Sequence, residues 1–158
     1  MSKNDHADEI LISGYASLFG VQDISGDIVR RGAFAQSLLK RPMQALPMLF
    51  GHETQMPIGV WDRVYEDEIG LFVQGRLSRL EKSRRHINRL VDAGALTGLS
   101  IGYRALRSTK RAAGGRDLFE LDLWEVSIVA FPMLRDARFS ISQSSDPQSF
   151  TSIQRTAT

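Results

Sequence analysis

Ala95-Leu96-Thr97-Gly98-Leu99-Ser100-Ile101-Gly102-Tyr103 sets one serine between two glycines, the G-x-S-x-G spacing that can expose a nucleophile on a sharp turn. The flanks of this stretch decide between folds. In an α/β-hydrolase the motif follows a strand and opens a helix, and the histidine lies downstream of the serine. Here the preceding residues read as a helix and the following ones as a strand, while His6, His52 and His86 all lie upstream. A doubly wound hydrolase is argued against, and any base for Ser100 must precede it. The spacing alone also fits an ordinary tight helix-to-strand turn.

On the N-terminal side, residues 78–93 carry a helical period. Ile87, Leu90 and Val91 share one face, Arg84, Arg85, Asn88, Arg89 and Asp92 the other, and Gly94 is a natural stop. Before that, residues 57–66 and 70–77 alternate as a hairpin turning at Asp67-Glu68. Leu46 to Glu53 reads as a buried strand that delivers His52 at its end. Residues 32–39 place Phe34, Leu38 and Leu39 on a short helix ended by Pro42, Ile28 and Val29 can pair after a turn at residues 23–27, and residues 10–19 form a first strand broken by Gly14.

On the C-terminal side, residues 100–107 alternate as a strand and residues 112–115 form a loop. Leu118 to Phe131 is a strand pair or one strand with a bulge, closed by Pro132. Two helices among many short strands predict a mainly β, α+β fold: a small closed or nearly closed barrel with flanking helices rather than a parallel sheet.

A chain of 158 residues with 42% hydrophobic content fits one domain. The expected organisation is a flexible N-terminus over 1–9, the folded domain over 10–140, and a disordered tail over 141–158, where Ser, Gln, Thr and Asp dominate. The absence of cysteine removes disulfides, thiolate nucleophiles and cysteine-based zinc sites. No apolar run approaches the ~20 residues of a membrane span, so a soluble cytoplasmic protein is expected. Basic residues cluster from Arg76 to Arg89 and from Arg104 to Arg111, but no stacking aromatics are interleaved. That favours a solvated helix face and a basic hairpin over a nucleic-acid surface.

A serine hydroxyl needs a neighbouring base, most often a histidine oriented by a third group. His6 lies in a polar terminus and His86 among cations, whereas His52 ends an apolar strand where it can face a cleft. As a metal ligand His52 is poorly placed, because His52-Glu53-Thr54-Gln55-Met56 lacks a second histidine; neither metal nor cofactor is expected. For the third group, Glu125 is the odd charge within the apolar run from Leu121 to Phe131, and buried charges need partners. Asp122 competes with it, and strand alternation also allows Glu125 to face outward.

The order His52, Ser100, Glu125 resembles that of the prohead maturation proteases of HK97-type tailed phages and their gene-transfer-agent relatives. The resemblance rests on Gly14-Tyr15-Ala16-Ser17-Leu18-Phe19, Gly26-Asp27, Gly32-Ala33-Phe34, Pro47-Met48-Leu49 through Gly51-His52, Pro57-Ile58-Gly59, Gly70-Leu71-Phe72-Val73, Ala93-Gly94-Ala95-Leu96, Gly98 to Tyr103, Leu123-Trp124-Glu125-Val126-Ser127 and Phe131-Pro132, in the family's order over residues 10 to 138. It implies a serine endopeptidase with a fold similar to the herpesvirus assemblin proteases, His52 as general base, Ser100 as nucleophile and Glu125 in place of the second histidine of the herpesvirus enzymes. Oxyanion donors would come from the glycine-flanked turn at Ser100 or from the backbone of residues 133–135.

The resemblance further implies action inside the assembling prohead in the bacterial host. The substrates would be the major capsid protein or its scaffolding segment and the protease itself, with homo-oligomerisation open. Two other classes remain: a catalytically silent barrel that binds capsid or scaffold protein, and a small esterase, which the chain order disfavours.

Overall fold

The computed structural model describes residues 8–42 and 45–142. Eight strands and two short helices follow one another as β1 (Glu9–Leu18), β2 (Ile28–Val29), α1 (Ala35–Lys40), β3 (Met48–Phe50), β4 (Pro57–Glu66), β5 (Gly70–Ser78), α2 (Arg85–Asp92), β6 (Gly98–Lys110), β7 (Arg116–Val129) and β8 (Phe139–Ser142). The mainly β class expected from the alternating segments is the class observed. The strands join in one mixed sheet whose path runs β6, β7, β3, β4, β5, β1, β8, with β2 also on β7.

The sheet curls until its ends nearly meet. Gly98 and Arg138 form an isolated bridge, the Leu99 N–H donates to Ala137 O at 2.8 Å, and the Phe139 N–H donates to Thr97 O at 2.9 Å. Beyond that bridge β6 and β8 part, so the barrel is nearly closed and keeps a seam beside Ser100. Alternate residues of β1, β5, β6 and β7 fill the interior, including Ile10, Ile12, Leu71, Val73, Leu99, Leu121, Val126 and Ile128, as a half-buried strand requires.

Several local expectations are corrected. β1 runs through Gly14 without a break; a Cβ there would lie 2.9 Å from Phe139 Cα, so the glycine lets β8 approach. Helical structure begins only with a 3-10 turn at Lys82–Arg84, because Ser78 is still paired with Glu9 in the β1–β5 ladder. Leu39 is exposed; within α1 the buried residue is Ser37, and Phe34 is buried at its N-cap. The sheet also contains parallel pairs, since β2 and β3 both run alongside β7. Between them, the Leu121 N–H donates to Ala33 O and the Leu123 N–H to Ser37 Oγ, so the α1 segment covers what would be a bare edge.

Glu9 belongs to β1, and Ile141 and Ser142 belong to β8. The rest of the expected tail, from 143 onward, and residues 1–7 lie outside the described residues. No helix among the described residues is long and apolar enough to cross a membrane.

Candidate active site

Strand β6 brings Ser100 to the seam, with consequences for the glycines around it. Ser100 is the third residue of a regular strand paired with Ser127 of β7, not the tip of a turn. The glycines serve packing. A Cβ on Gly98 would lie 2.9 Å from Pro132 Cδ, and one on Gly102 would fall within 2.9 Å of Glu125 Cγ and Cδ. The strand geometry also withdraws the Ser100 N–H as an oxyanion donor. Leu99 turns its N–H to Ala137 across the seam, so period-2 alternation turns that of Ser100 toward β7.

Glu125 reaches this face through a bulge. The β6–β7 register steps from Gly102↔Glu125 to Tyr103↔Leu123, leaving Trp124 as the extra residue. Leu121 and Leu123 point into the core before it, and Val126 and Ile128 after it. Without the extra residue, alternation would send Glu125 into the apolar interior. With it, Glu125 shares one face of the sheet with Ser127, Ser100 and Gly102. Re-aiming a side chain in this way is a common use of bulges near functional sites.

His52 arrives from the other neighbour of β7. Strand β3 lies parallel to β7, with Phe50 opposite Ile128, and the chain then turns sharply through Gly51 and His52. His52 has φ of 64°, the one positive value outside glycine among the described residues. Such a conformation persists where the surroundings over-determine it. Three bonds fix this turn: Gly51 N–H to Ile128 O at 3.0 Å, Glu53 N–H to Phe50 O at 3.1 Å, and His52 N–H to Ser127 Oγ at 3.0 Å.

The three side chains meet in a line. Nδ1 of His52 is hydrogen-bonded to Glu125 Oε1, and Nε2 lies 3.0 Å from Ser100 Oγ. A carboxylate oxygen can only accept, so the ring proton sits on Nδ1 and Nε2 is left to accept the Ser100 hydroxyl proton. The hydrogen bond to Glu125 raises the pKa of His52 above its ordinary value of 6.5, with partial burial opposing. Ser100 and Glu125 are buried, whereas the His52 side chain keeps 42% of its surface exposed.

The structure thus gathers all three expected residues and leaves the competitors elsewhere. Asp122 faces Arg41 and accepts the Trp124 indole N–H, His86 sits exposed on α2, and His6 lies outside the described residues. Ser127, which the residue types alone did not single out, also belongs to the cluster: its hydroxyl donates to Glu125 Oε2 at 2.7 Å. An opening of about 90 Å³ flanks Ser100 along the seam, walled by Ala16, Leu18, Leu99, Ile101, Met133 and Leu134.

The chain is similar to known proteins in sequence and in fold. The prohead protease of Enterobacteria phage HK97 is 30% identical over 139 residues, which cover 86% of this chain and 61% of that protein. The prohead protease of Escherichia phage T5 is 30% identical over 153 residues, 94% of this chain and 70% of that one. The chain therefore spans less than two thirds of the HK97 relative. Among solved structures, the capsid assembly protease of bacteriophage T4 superposes with a TM-score of 0.61 at 14% identity, covering 75% of this chain and 80% of that one. The KSHV protease, solved with a hexapeptide phosphonate inhibitor, gives 0.57 at 13%, covering 86% and 66%. The varicella-zoster virus protease gives 0.57 at 13%, covering 87% and 65%. At such identities these structures speak for the fold, which is the herpesvirus-protease type. Residues 1–149 match the family described as caudovirus prohead serine protease, and the chain belongs to that family.

Proposed function

We propose that this protein is a serine endopeptidase that removes a segment of the major capsid protein, or its scaffold, and cuts itself during prohead maturation in the bacterial host. The observation that carries the reading is the imidazole of His52 held between Glu125 and the Ser100 hydroxyl, in a chain of this family. Ser100 Oγ attacks the scissile carbonyl while His52 Nε2 takes its proton and then delivers it to the leaving amine. Water, activated by the same nitrogen, hydrolyses the acyl-enzyme. Glu125 holds the imidazole in the required tautomer and stabilises the imidazolium. The oxyanion is met by main-chain N–H groups of residues 133–135, of which Met133 and Leu134 wall the opening beside Ser100.

The seam also suits an extended substrate. Ile101 follows Leu99 in strand period, so its N–H and C=O face the open side of β6, where a peptide can add as a strand. A substrate side chain then enters the adjacent opening.

A fluorophosphonate probe tests the reading directly. Peptide mapping is expected to place the adduct on Ser100, and the labelling rate should follow one titration. Only neutral His52 accepts a proton, and its pKa is raised by Glu125. The rate should therefore fall as pH drops, with a midpoint above 6.5. Labelling elsewhere, or a flat profile between pH 5 and 9, would contradict the assignment.

Gly102→Ala provides a second check. The new methyl group would collide with Oε1, Cγ and Cδ of Glu125, so the carboxylate must leave its place between His52 and Ser127. Labelling should slow at least ~10-fold, because the imidazole loses the acid that orients it. Unchanged labelling would show that Glu125 tolerates the shift.

A further inference from the structure

Among the described residues, Ser127 is the buried hydroxyl that hydrogen-bonds to both Glu125 and His52. Its side chain is fully enclosed, and its two hydrogen bonds have fixed directions. The Oγ–H donates to Glu125 Oε2 at 2.7 Å, and Oγ accepts the His52 main-chain N–H at 3.0 Å. A hydroxyl has one proton and a carboxylate has none to give, so the arrangement cannot reverse. The other oxygen of the same carboxylate accepts from His52 Nδ1. The ring and the main chain of His52 are thus tied to one acid, directly at Oε1 and through Ser127 at Oε2.

We infer that Ser127 is a positioning residue for the base: it couples the left-handed turn at His52 to the carboxylate that orients the imidazole, so that the two move as one unit. Two features require such a tether. His52 stands in a conformation that non-glycine residues avoid, and its side chain is too exposed for packing to hold the ring. A serine needed only for sheet packing would satisfy itself on a neighbouring carbonyl, and this one does not. The inference rests on the proposed role of His52.

The test compares wild type with Ser127→Ala and Ser127→Thr, using peptide cleavage kinetics, fluorophosphonate labelling and the His52 Nδ1–H resonance in protein labelled with ¹⁵N-histidine. Ser127→Ala is expected to lower kcat by about 10- to 100-fold, the usual cost of losing an outer partner, with KM within about twofold. It should also broaden the Nδ1–H signal through exchange with water. Ser127→Thr keeps the hydroxyl and should restore both. If Ser127→Ala lowers the unfolding temperature but leaves kcat per folded molecule and the Nδ1–H signal intact, the serine is structural and the inference falls. If wild type fails to react with the probe, the proposed function falls instead, and retention or loss of the Nδ1–H signal in Ser127→Ala alone decides the tether.

Discussion

Ser100→Ala is expected to abolish processing when this protein is co-expressed with the major capsid protein encoded beside it. Loss of a serine nucleophile costs on the order of 10⁶ in kcat, because the remaining groups of the site act only through it. The fold should survive, since the Ser100 hydroxyl has His52 as its partner and the strand is otherwise unchanged. Stability should shift by no more than about 1 kcal/mol. Intact mass analysis of both chains gives the readout: a shortened capsid protein and a shortened protease with wild type, full-length masses with the variant. Capsid shortening by Ser100→Ala would assign the cut to another enzyme. Identical full-length masses with both proteins, in assembled shells, would favour a silent binding module.

Glu125→Ala should cost nearly as much, about 10³- to 10⁴-fold in kcat, by comparison with losing the acid of other serine triads. The reason is local. Truncation leaves His52 Nδ1 and the Ser127 hydroxyl without their common acceptor, and the imidazole is free to rotate or to adopt the other tautomer. Glu125→Gln separates shape from charge. It fills the same space and its amide oxygen can still accept from Nδ1, but it removes the negative charge that strengthens this bond and favours the imidazolium. The midpoint of the pH profile should therefore move down while the plateau rate falls. Glu125→Gln should not lower the unfolding temperature, because burying a carboxylate carries a desolvation cost that an amide avoids. A wild-type rate in either variant would remove Glu125 from the mechanism.

Much of this was legible in the residues themselves, and the exceptions have physical causes. His52 and Glu125 stood out as polar residues in apolar strands, a local signal. The bulge at Trp124 was half visible. The apolar positions Leu121 and Leu123 are followed by Val126 and Ile128, a break in period 2 that forces one extra residue. The glycines around Ser100 suggested a turn because spacing cannot distinguish a flexible backbone from one that must make room for a neighbour. The neighbours are Pro132 and Glu125, remote in sequence. The parallel pairing of β2 and β3 with β7 was missed for a related reason: strands of two and three residues carry too few positions to show a period. Ser127 was passed over because a serine in a strand is unremarkable until its partners are known.

The meeting of β8 with β1 and β6 bears on when the proposed activity can appear during synthesis. Phe139 pairs with Gly14, and Ala137 holds Leu99 next to Ser100. A nascent chain that has emerged through Glu125 contains His52, Ser100 and Glu125, yet it lacks Ser127 and residues 133–135, one edge of β1 is bare and the strand bearing Ser100 lacks its seam contact. Contacts so far apart in sequence form late and slowly. Completion of the seam therefore waits until β8 has left the ribosome, and chains that stop before it should be inert toward the fluorophosphonate probe.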